Sequence, residues 1–289
     1  MPASPLPEGG EWQVSNVVEM SVQSAEGDRV SQWPGVLGDR LSTSEAGRWF
    51  LLALLGFLVG QIMSVVAVTV VAASLGKTTS LSTYAGMAEP PEWYVLASLV
   101  GLWVGFLGAP FLATRIGGVR RHLGLSFKPI DLIGIPIGVV GQFLVAALYA
   151  PFIKHLHNFD APVKKLTGAS HGAGLWVIVL STVFLAPLAE EIFFRGLLFR
   201  GLLNLSQIFK STRARKGGVV TAVVLDGVLF GLAHGELAQL AGLALFGMVL
   251  CVLFLKTGRL GMSMAAHAAF NGVAVSVLLV SSGLTFRWL

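Results

Sequence analysis

Charged residues are scarce in this sequence. Only 12% of its 289 residues are Asp, Glu, Lys or Arg, whereas 54% are hydrophobic. A soluble domain carries about a quarter of its residues charged, because its surface must stay hydrated. The deficit excludes an ordinary soluble domain and indicates a surface that largely faces lipid.

Cysteine is nearly absent too, with Cys251 as the single example. One cysteine excludes an intramolecular disulfide and a metal cluster held by several thiolates. Because Cys251 lies within an apolar run, we interpret it as a small packing residue.

The acidic residues are concentrated near the N-terminus. Residues 1–45 hold seven of the 15 acidic residues but two of the 20 basic ones, so the rest of the chain has a basic excess. Such an excess is typical of loops beside an anionic lipid leaflet. No soluble stretch combines a basic patch with interleaved aromatic residues, so we predict the lipid bilayer as a partner and no nucleic acid.

Residues 1–48 are rich in Pro, Gly, Ser and acidic residues and show no apolar periodicity. We expect a disordered or loosely structured cytoplasmic tail here. The first apolar run begins near Trp49, which is too far along the chain for a cleavable signal peptide. Residues 49–289 are predicted to form a membrane helical domain.

Seven apolar segments of this domain are long enough to cross a bilayer, which takes about 20 residues of helix. Continuous apolar runs without strand-like alternation favour helices over a β-barrel. The predicted fold class is therefore an all-α, polytopic transmembrane bundle. The segments are 49–76, 93–114, 132–153, 172–203, 217–235, 237–255 and 260–284.

The Lys and Arg residues of the loops predict the orientation of this bundle. With the N-terminus inside, the inner loops hold 11 of them and the outer loops hold four. Because cytoplasmic loops carry the excess of Lys and Arg, we predict that the N-terminus lies inside.

Ionisable residues within the apolar segments occur in the last four and not in the first three. An ionisable group inside a bilayer costs roughly 2.5–3.5 kcal/mol on insertion scales, so its presence indicates a function. The distribution predicts a catalytic core over residues 172–282. The polar residues concerned are Glu190, Glu191, Arg195, Asp226, His234, His267 and Asn271.

The first cluster is Glu190-Glu191-Ile-Phe-Phe-Arg195. Glu191 and Arg195 are four residues apart, so they share a helix face and are expected to form a buried ion pair. Glu190 points about 100° away, into the bundle, where it could accept and return a proton. Pro187 is expected to open the helix nearby. The alternative is a buried salt-bridge cluster that only fixes helix packing.

Two further pairs have the spacing i, i+4. Phe230 and His234 share one helix face, and His267 and Asn271 share another. Each pair alone also fits a structural role, either a satisfied histidine at a helix end or a polar contact between helices. Together with Glu190 they predict one hydrolytic site. Glu190 and His234 would activate water. His267 and Asn271 would donate hydrogen bonds to the oxyanion.

These three motifs, Glu-Glu-x-x-x-Arg, Phe-x-x-x-His and His-x-x-x-Asn in this order, resemble those of the CPBP family. The family contains CAAX prenyl endopeptidases and bacteriocin-processing proteins and is also called Abi. The resemblance covers about residues 172–282 and includes the Lys-Thr-Gly-Arg-Leu-Gly turn before His267. It implies a helical intramembrane endopeptidase in which Glu190 and His234 are the water-activating pair. Further residues of the three motifs are Glu191, Arg195, Phe230, His267 and Asn271.

Motifs of other intramembrane proteases are incomplete. Leu225-Asp226-Gly227 resembles the second motif of site-2 metalloproteases, but no His-Glu-x-x-His occurs. Ser263 and His267 are four residues apart, yet the Gly-x-Ser-Gly of rhomboids and the Gly-x-Gly-Asp of presenilins are missing. Asp226 belongs to no motif of the resemblance.

CPBP proteins are often labelled metalloproteases. A zinc ion, if one binds, would be held by Glu190, His234 and His267. No His-x-x-x-His pair lies on one helix, and a ligating Glu190 could no longer act as the base. We therefore favour a site without a metal or other cofactor.

The expected activity is hydrolysis of peptide bonds in membrane-associated or lipidated proteins, so the partner is a peptide or protein substrate at the membrane. We expect a multi-pass protein of the plasma membrane whose site opens to the cytoplasm. Two rivals are a non-catalytic scaffold or immunity protein of the same fold and a proton-coupled carrier that uses the same buried groups. The carrier is disfavoured because no internal repeat is evident.

Overall fold

The described chain consists of helices and their connections, as predicted for an all-α protein. A computed structural model describes residues 41–85, 87, 89–115, 123–152 and 172–281. Within those ranges there are helices and turns but no strand, and all of them lie in one compact unit, Gly35–Leu289. Most of the predicted tail, residues 1–40, falls outside the described part.

Seven helices of the described part are long and apolar enough to cross a membrane, so this prediction is confirmed. Large apolar side chains such as Leu58, Phe111 and Leu144 are exposed on their outer faces, as expected of a surface that lies in lipid. We call these helices α1 to α7; a short helix, Leu81–Ala85, lies between the first two. Their bounds are Thr43–Ser74, Glu92–Ala113, Pro129–Tyr149, Gly172–Ser206, Thr212–Ala233, Leu237–Thr257 and Leu260–Ser281.

Helix α1 begins at Thr43, six residues before the predicted start at Trp49. The N–H of Glu45 donates to Oγ of Ser42 (3.3 Å), and the N–H of Ser42 donates to the carboxylate of Glu45 (2.8 Å). This capping box gives partners to two otherwise unpaired N–H groups. The polar residues before Trp49 are therefore helical, and the apolar run marks the lipid-facing part of α1 but not its beginning.

Helices α1 and α2 approach each other through glycines. A Cβ atom at Gly105 would collide with backbone atoms of Gly56 and Gly60. Close contact of this kind is typical of helix pairs in membranes, where van der Waals packing drives association. Next to Gly105 on α2, the ring of Phe106 stacks on Phe193 of α4 with 4.3 Å between centroids. This contact connects α2 to α4.

Helix α4 occupies the centre of the bundle, where it contacts α1, α2, α5, α6 and α7. Every residue of its segment Ile192–Phe199 is buried. The rings of Phe193 and Phe194 pack edge to face, and Phe194 meets Phe230 of α5 in the same way. The Glu-Glu-x-x-x-Arg motif lies at this centre, within reach of α5 and α7.

Helix α4 is irregular on both sides of the paired glutamates. Turns of π-helix over Ser181–Leu185 and Ile192–Phe199 flank a short α-helical stretch, Ala186–Glu191. Such π turns inside a helix are frequent at functional sites.

The first π turn leaves one carbonyl without its backbone partner. The N–H of Ala186 bonds to the carbonyl of Ser181, five residues back. The next bond in this register would join Thr182 to Pro187, which has no N–H. The opening predicted at Pro187 is thus present as a change of helix register, and the freed carbonyl belongs to Thr182.

Candidate active site

Glu190 lies between two imidazole rings that come from different helices. Its Oε2 is 3.9 Å from Nε2 of His234, at the C-terminal end of α5, and 3.7 Å from Nε2 of His267 on α7. That oxygen has no hydrogen-bond partner among the described residues. The structure therefore brings together one residue from each of the three motifs.

Both rings turn the same nitrogen toward Glu190. Nδ1 of His234 lies 2.8 Å from the carbonyl oxygen of Phe230, and Nδ1 of His267 lies 3.1 Å from Oε1 of Glu191. A carbonyl and a carboxylate accept hydrogen bonds, so Nδ1 donates in each ring. In the neutral rings Nε2 then carries a lone pair, and two basic nitrogens face one carboxylate oxygen.

Glu191 and Arg195 form the buried ion pair expected from their spacing. Nη1 of Arg195 donates to Oε1 of Glu191 at 2.8 Å, and both side chains are inaccessible to solvent. The same Oε1 accepts from His267. Glu191 thus links the arginine to the imidazole ring that faces Glu190.

Asp226 joins this pair, although the sequence motifs left it out. It is fully buried on α5, and its Oδ2 lies 3.7 Å from Nε of Arg195. The thiol of Cys251 on α6 donates to the same Oδ2 at 3.0 Å, so this cysteine is more than a packing residue. A sequence signal existed: Asp226, Phe230 and His234 are spaced by four and share one face of α5.

Phe230 packs against three ionisable side chains of the site. The guanidinium carbon of Arg195 lies 4.5 Å from the centroid of its ring, within the range of a cation–π contact. The rings of His234 and His267 lie 4.8 and 5.4 Å away, tilted steeply to its plane. The aromatic residue of the second motif therefore packs against both histidines and the arginine.

Asn271 of α7 forms a hydrogen bond with the backbone of α4. Its Nδ2 donates to the carbonyl of Thr182 at 3.0 Å, which is the carbonyl freed by Pro187. One of the two N–H groups of the amide is used in this contact between helices. Its role as an oxyanion donor stays a prediction, and the second N–H is the one that could fill it.

The facing atoms of the three residues that would hold a zinc ion are spaced more widely than the ligand atoms of a bound ion, and the metal question stays open to test. Glu190, His234 and His267 have suitable donor atoms, and Nδ1 of each ring is fixed by a hydrogen bond as metal-bound histidines require. Ligand atoms around tetrahedral zinc are about 3.3 Å apart, which is shorter than the 3.7 and 3.9 Å found here. Within the described residues, no group of three His, Cys, Asp or Glu is arranged to hold a metal.

The most exposed side chain of the site lies at the end of α5. The exposed fraction of the side chains rises from 2% for His267 through 16% for Glu190 to 32% for His234, the residue that follows α5. If each helix crosses the bilayer once, α5 ends on the face opposite to the N-terminal end of α1. The expectations of an N-terminus inside and of a site open to the cytoplasm both stay predictions.

Comparison with known proteins supports the resemblance inferred from the motifs. Residues 172–273 match the family described as type II CAAX prenyl endopeptidase Rce1-like. The matched segment contains α4, α5, α6 and more than half of α7, and it includes every residue of the three motifs. The resemblance of this part of the chain to the CPBP family of CAAX proteases is thus confirmed.

A curated relative is an uncharacterized protein from Mycoplasma capricolum subsp. capricolum. It is 23% identical over 188 residues, which are 59% of this chain and 52% of the relative. The chain therefore spans about half the length of the relative that it matches. No solved structure matches the chain.

Proposed function

We propose that this protein is an intramembrane endopeptidase of the CAAX-protease type that hydrolyses peptide bonds of membrane-associated or lipidated proteins. The observation that carries the proposal is the position of Glu190. Its Oε2 faces the Nε2 atoms of two histidines at 3.7 and 3.9 Å, within the segment similar to CAAX endopeptidases.

The hydrolytic water would be activated between Glu190 and His234. Their separation of 3.9 Å exceeds a direct hydrogen bond, and a water molecule about 2.8 Å from each acceptor fits between them. Glu190 takes a proton from this water while the oxygen attacks the peptide carbonyl. When the C–N bond breaks, Glu190 returns that proton to the leaving amine.

The oxyanion would be stabilised by His267 and Asn271. Nδ1 of His267 already donates to Glu191, so only a protonated ring can also donate from Nε2. The carboxylate of Glu191 stabilises this cation. Asn271 contributes the second N–H of its amide, the one that does not donate to Thr182. Such donors act strongly because they are already in place and His267 is almost fully buried.

The test uses purified protein in lipid nanodiscs and an internally quenched peptide that ends in a farnesylated CAAX sequence. Wild-type protein is expected to cleave the peptide, and Glu190→Gln is expected to stop cleavage because an amide cannot take the proton. Glu236→Gln serves as the matched control, since it makes the same change two residues after His234.

A scaffold of the same fold would behave differently in cells. If the protein is a scaffold, cells with Glu190→Gln should behave like wild-type cells. If it is a protease, they should behave like cells that lack the gene. Comparison of the membrane proteomes of cells with wild-type protein and with Glu190→Gln also identifies the substrates, because uncleaved precursors accumulate. Cleavage by Glu190→Gln at the wild-type rate would refute the assigned role.

A further inference from the structure

Asp226 is a buried acid that the proposed mechanism does not use. It lies at 0% exposure within α5, and its Oδ1 has no hydrogen-bond partner among the described residues. A charged group at this depth needs compensation. Its neighbours are the guanidinium of Arg195 on α4 and the thiol of Cys251 on α6.

The guanidinium of Arg195 makes two hydrogen bonds and one longer charge contact. Nη1 donates to Glu191 and Nη2 donates to the carbonyl of Gly247 at 2.9 Å, while Nε makes no hydrogen bond in the described part of the chain and lies 3.7 Å from Oδ2 of Asp226. The fork of Arg195 is rigid and planar, so an anion at Nε fixes where both Nη atoms point. Asp226 thereby sets the position from which Arg195 reaches Glu191.

One carboxylate oxygen of Glu191 accepts hydrogen bonds from two donors. Oε1 accepts from Arg195 at 2.8 Å and from Nδ1 of His267 at 3.1 Å. If Glu191 were the only anion beside Arg195, their charges would cancel, and the imidazole ring of His267 would face a neutral pair. A second carboxylate, at Asp226, balances the guanidinium and leaves the negative charge of Glu191 available to His267.

We propose that Asp226 is a positioning residue of the active site. It acts through Arg195 and Glu191 to hold Nδ1 of His267, so that Nε2 of that ring stays directed at Glu190. The sequence of contacts runs from α5 through α4 to α7. The consequence for catalysis rests on the proposed function, but the effect on His267 does not.

The first readout is independent of any substrate. Protein labelled with ¹⁵N-histidine is reconstituted in nanodiscs, and the Nδ1–H signal of His267 is identified among the six histidines by its absence in His267→Gln. Asp226→Asn keeps the shape of the side chain and removes its charge. We expect the Nδ1–H signal of His267 to be lost or strongly shifted in this variant at unchanged pH.

The matched control is the other buried Asp–Arg pair of the described chain. Oδ1 of Asp131 accepts from Arg259 at 2.6 Å, and Asp131 is fully buried outside the site. Asp131→Asn should destabilise the protein without changing the signal of His267. Cys251→Ser retains a hydroxyl donor for Asp226 and is also expected to keep the signal.

The second readout is cleavage of the farnesylated CAAX peptide. For Asp226→Asn we expect kcat to fall about 10- to 100-fold, because a misplaced catalytic group costs rates of this order, with KM nearly unchanged. If this variant does not fold, Asp226→Ser is smaller, equally uncharged and makes the same test. An Nδ1–H signal of His267 that is the same in Asp226→Asn and Asp131→Asn overturns the proposal.

The two proposals fail in different ways. If wild-type protein cleaves no peptide but Asp226→Asn alters the signal of His267, the link between the residues stands and the proposed function falls. If wild-type protein cleaves the peptide and Asp226→Asn cleaves it as fast as Asp131→Asn does, Asp226 has no positioning role.

Discussion

Glu190 and Glu191 are adjacent in the chain, yet they have opposite surroundings. Glu191 accepts N–H groups from Arg195 and His267, whereas Oε2 of Glu190 has no hydrogen-bond partner in the described part of the chain. One step along a helix rotates a side chain by about 100°, which is enough to separate the two environments. Glu191 is engaged by its neighbours, whereas the unpaired oxygen of Glu190 suits the proton exchange that we propose for it.

At the scale of single residues, Arg195→Ala should lower the free energy of unfolding by about 3–5 kcal/mol, because it strands buried carboxylates. Thermal and denaturant unfolding in detergent micelles measure the change. Arg48→Ala is the control, since Arg48 pairs with Glu45 at 3.9 Å on the exposed surface. An exposed pair contributes about 0–1 kcal/mol.

Recovery of this stability requires three replacements. Arg195 serves Asp226 as well as Glu191, so apolar substitution of Glu191 and Arg195 together leaves Asp226 unpaired. Only an additional apolar residue at position 226 should restore the unfolding midpoint. Wild-type stability in Arg195→Ala, or full recovery in the double variant, would contradict the shared pairing.

Helix α4 illustrates what the sequence predicts and what it does not. The pairing of Glu191 with Arg195 followed from spacing, because both lie on one helix and four residues is a local rule. Pro187 also predicted an opening nearby, but no local rule predicts the second π turn, over Ile192–Phe199. Asp226 was missed because its partners come from α4 and α6: its spacing from Phe230 and His234 marks a shared helix face but does not identify those partners.

At the scale of the helix, the double role of Asn271 can be separated by a mutant cycle. Asn271→Ala should reduce kcat by about 10²–10³-fold, as loss of one oxyanion donor does. Pro187→Ala supplies an N–H that can satisfy the carbonyl of Thr182 without Asn271. We expect the same loss when Asn271→Ala is introduced into Pro187→Ala protein, measured as the ratio of kcat values within that background.

The opposite result has a clear meaning. If Asn271→Ala costs less than about tenfold in the Pro187→Ala background, its effect in the natural chain comes from the contact with Thr182 and not from an oxyanion contact. Gel filtration and thermal unfolding of all four proteins verify that each remains folded.

At the scale of the molecule, the number of spans was predictable because lipid requires about 20 apolar residues for each crossing. The apolar runs alone do not give the orientation of the bundle. The loop charges predict an N-terminus inside. With that orientation and one crossing per helix, His234, the most exposed of the three facing residues of the site, would lie toward the external face.

Cysteine labelling tests this orientation. Ser80→Cys lies after α1 and Ser211→Cys lies directly before α5, and both serines are exposed. A membrane-impermeant maleimide added outside intact cells should modify the first and not the second. Because Cys251 is fully buried, the natural chain is the blank. The reverse labelling pattern would place the N-terminus outside and, with one crossing per helix, His234 toward the cytoplasm.

The length of α4 makes the thickness of the host membrane a variable of the reaction. Five of the spanning helices have 21 or 22 residues, whereas α4 has 35. At 1.5 Å per residue α4 is about 50 Å long, which exceeds the hydrocarbon core of about 30 Å, so it must tilt or project from the bilayer. We therefore expect a change in lipid chain length to shift Glu190 relative to His234 and His267. Reconstitution in phosphatidylcholines of increasing acyl length should give a cleavage rate that peaks near a 30 Å core and declines in thicker bilayers, whereas a constant rate would show that α4 keeps its tilt regardless of the lipid.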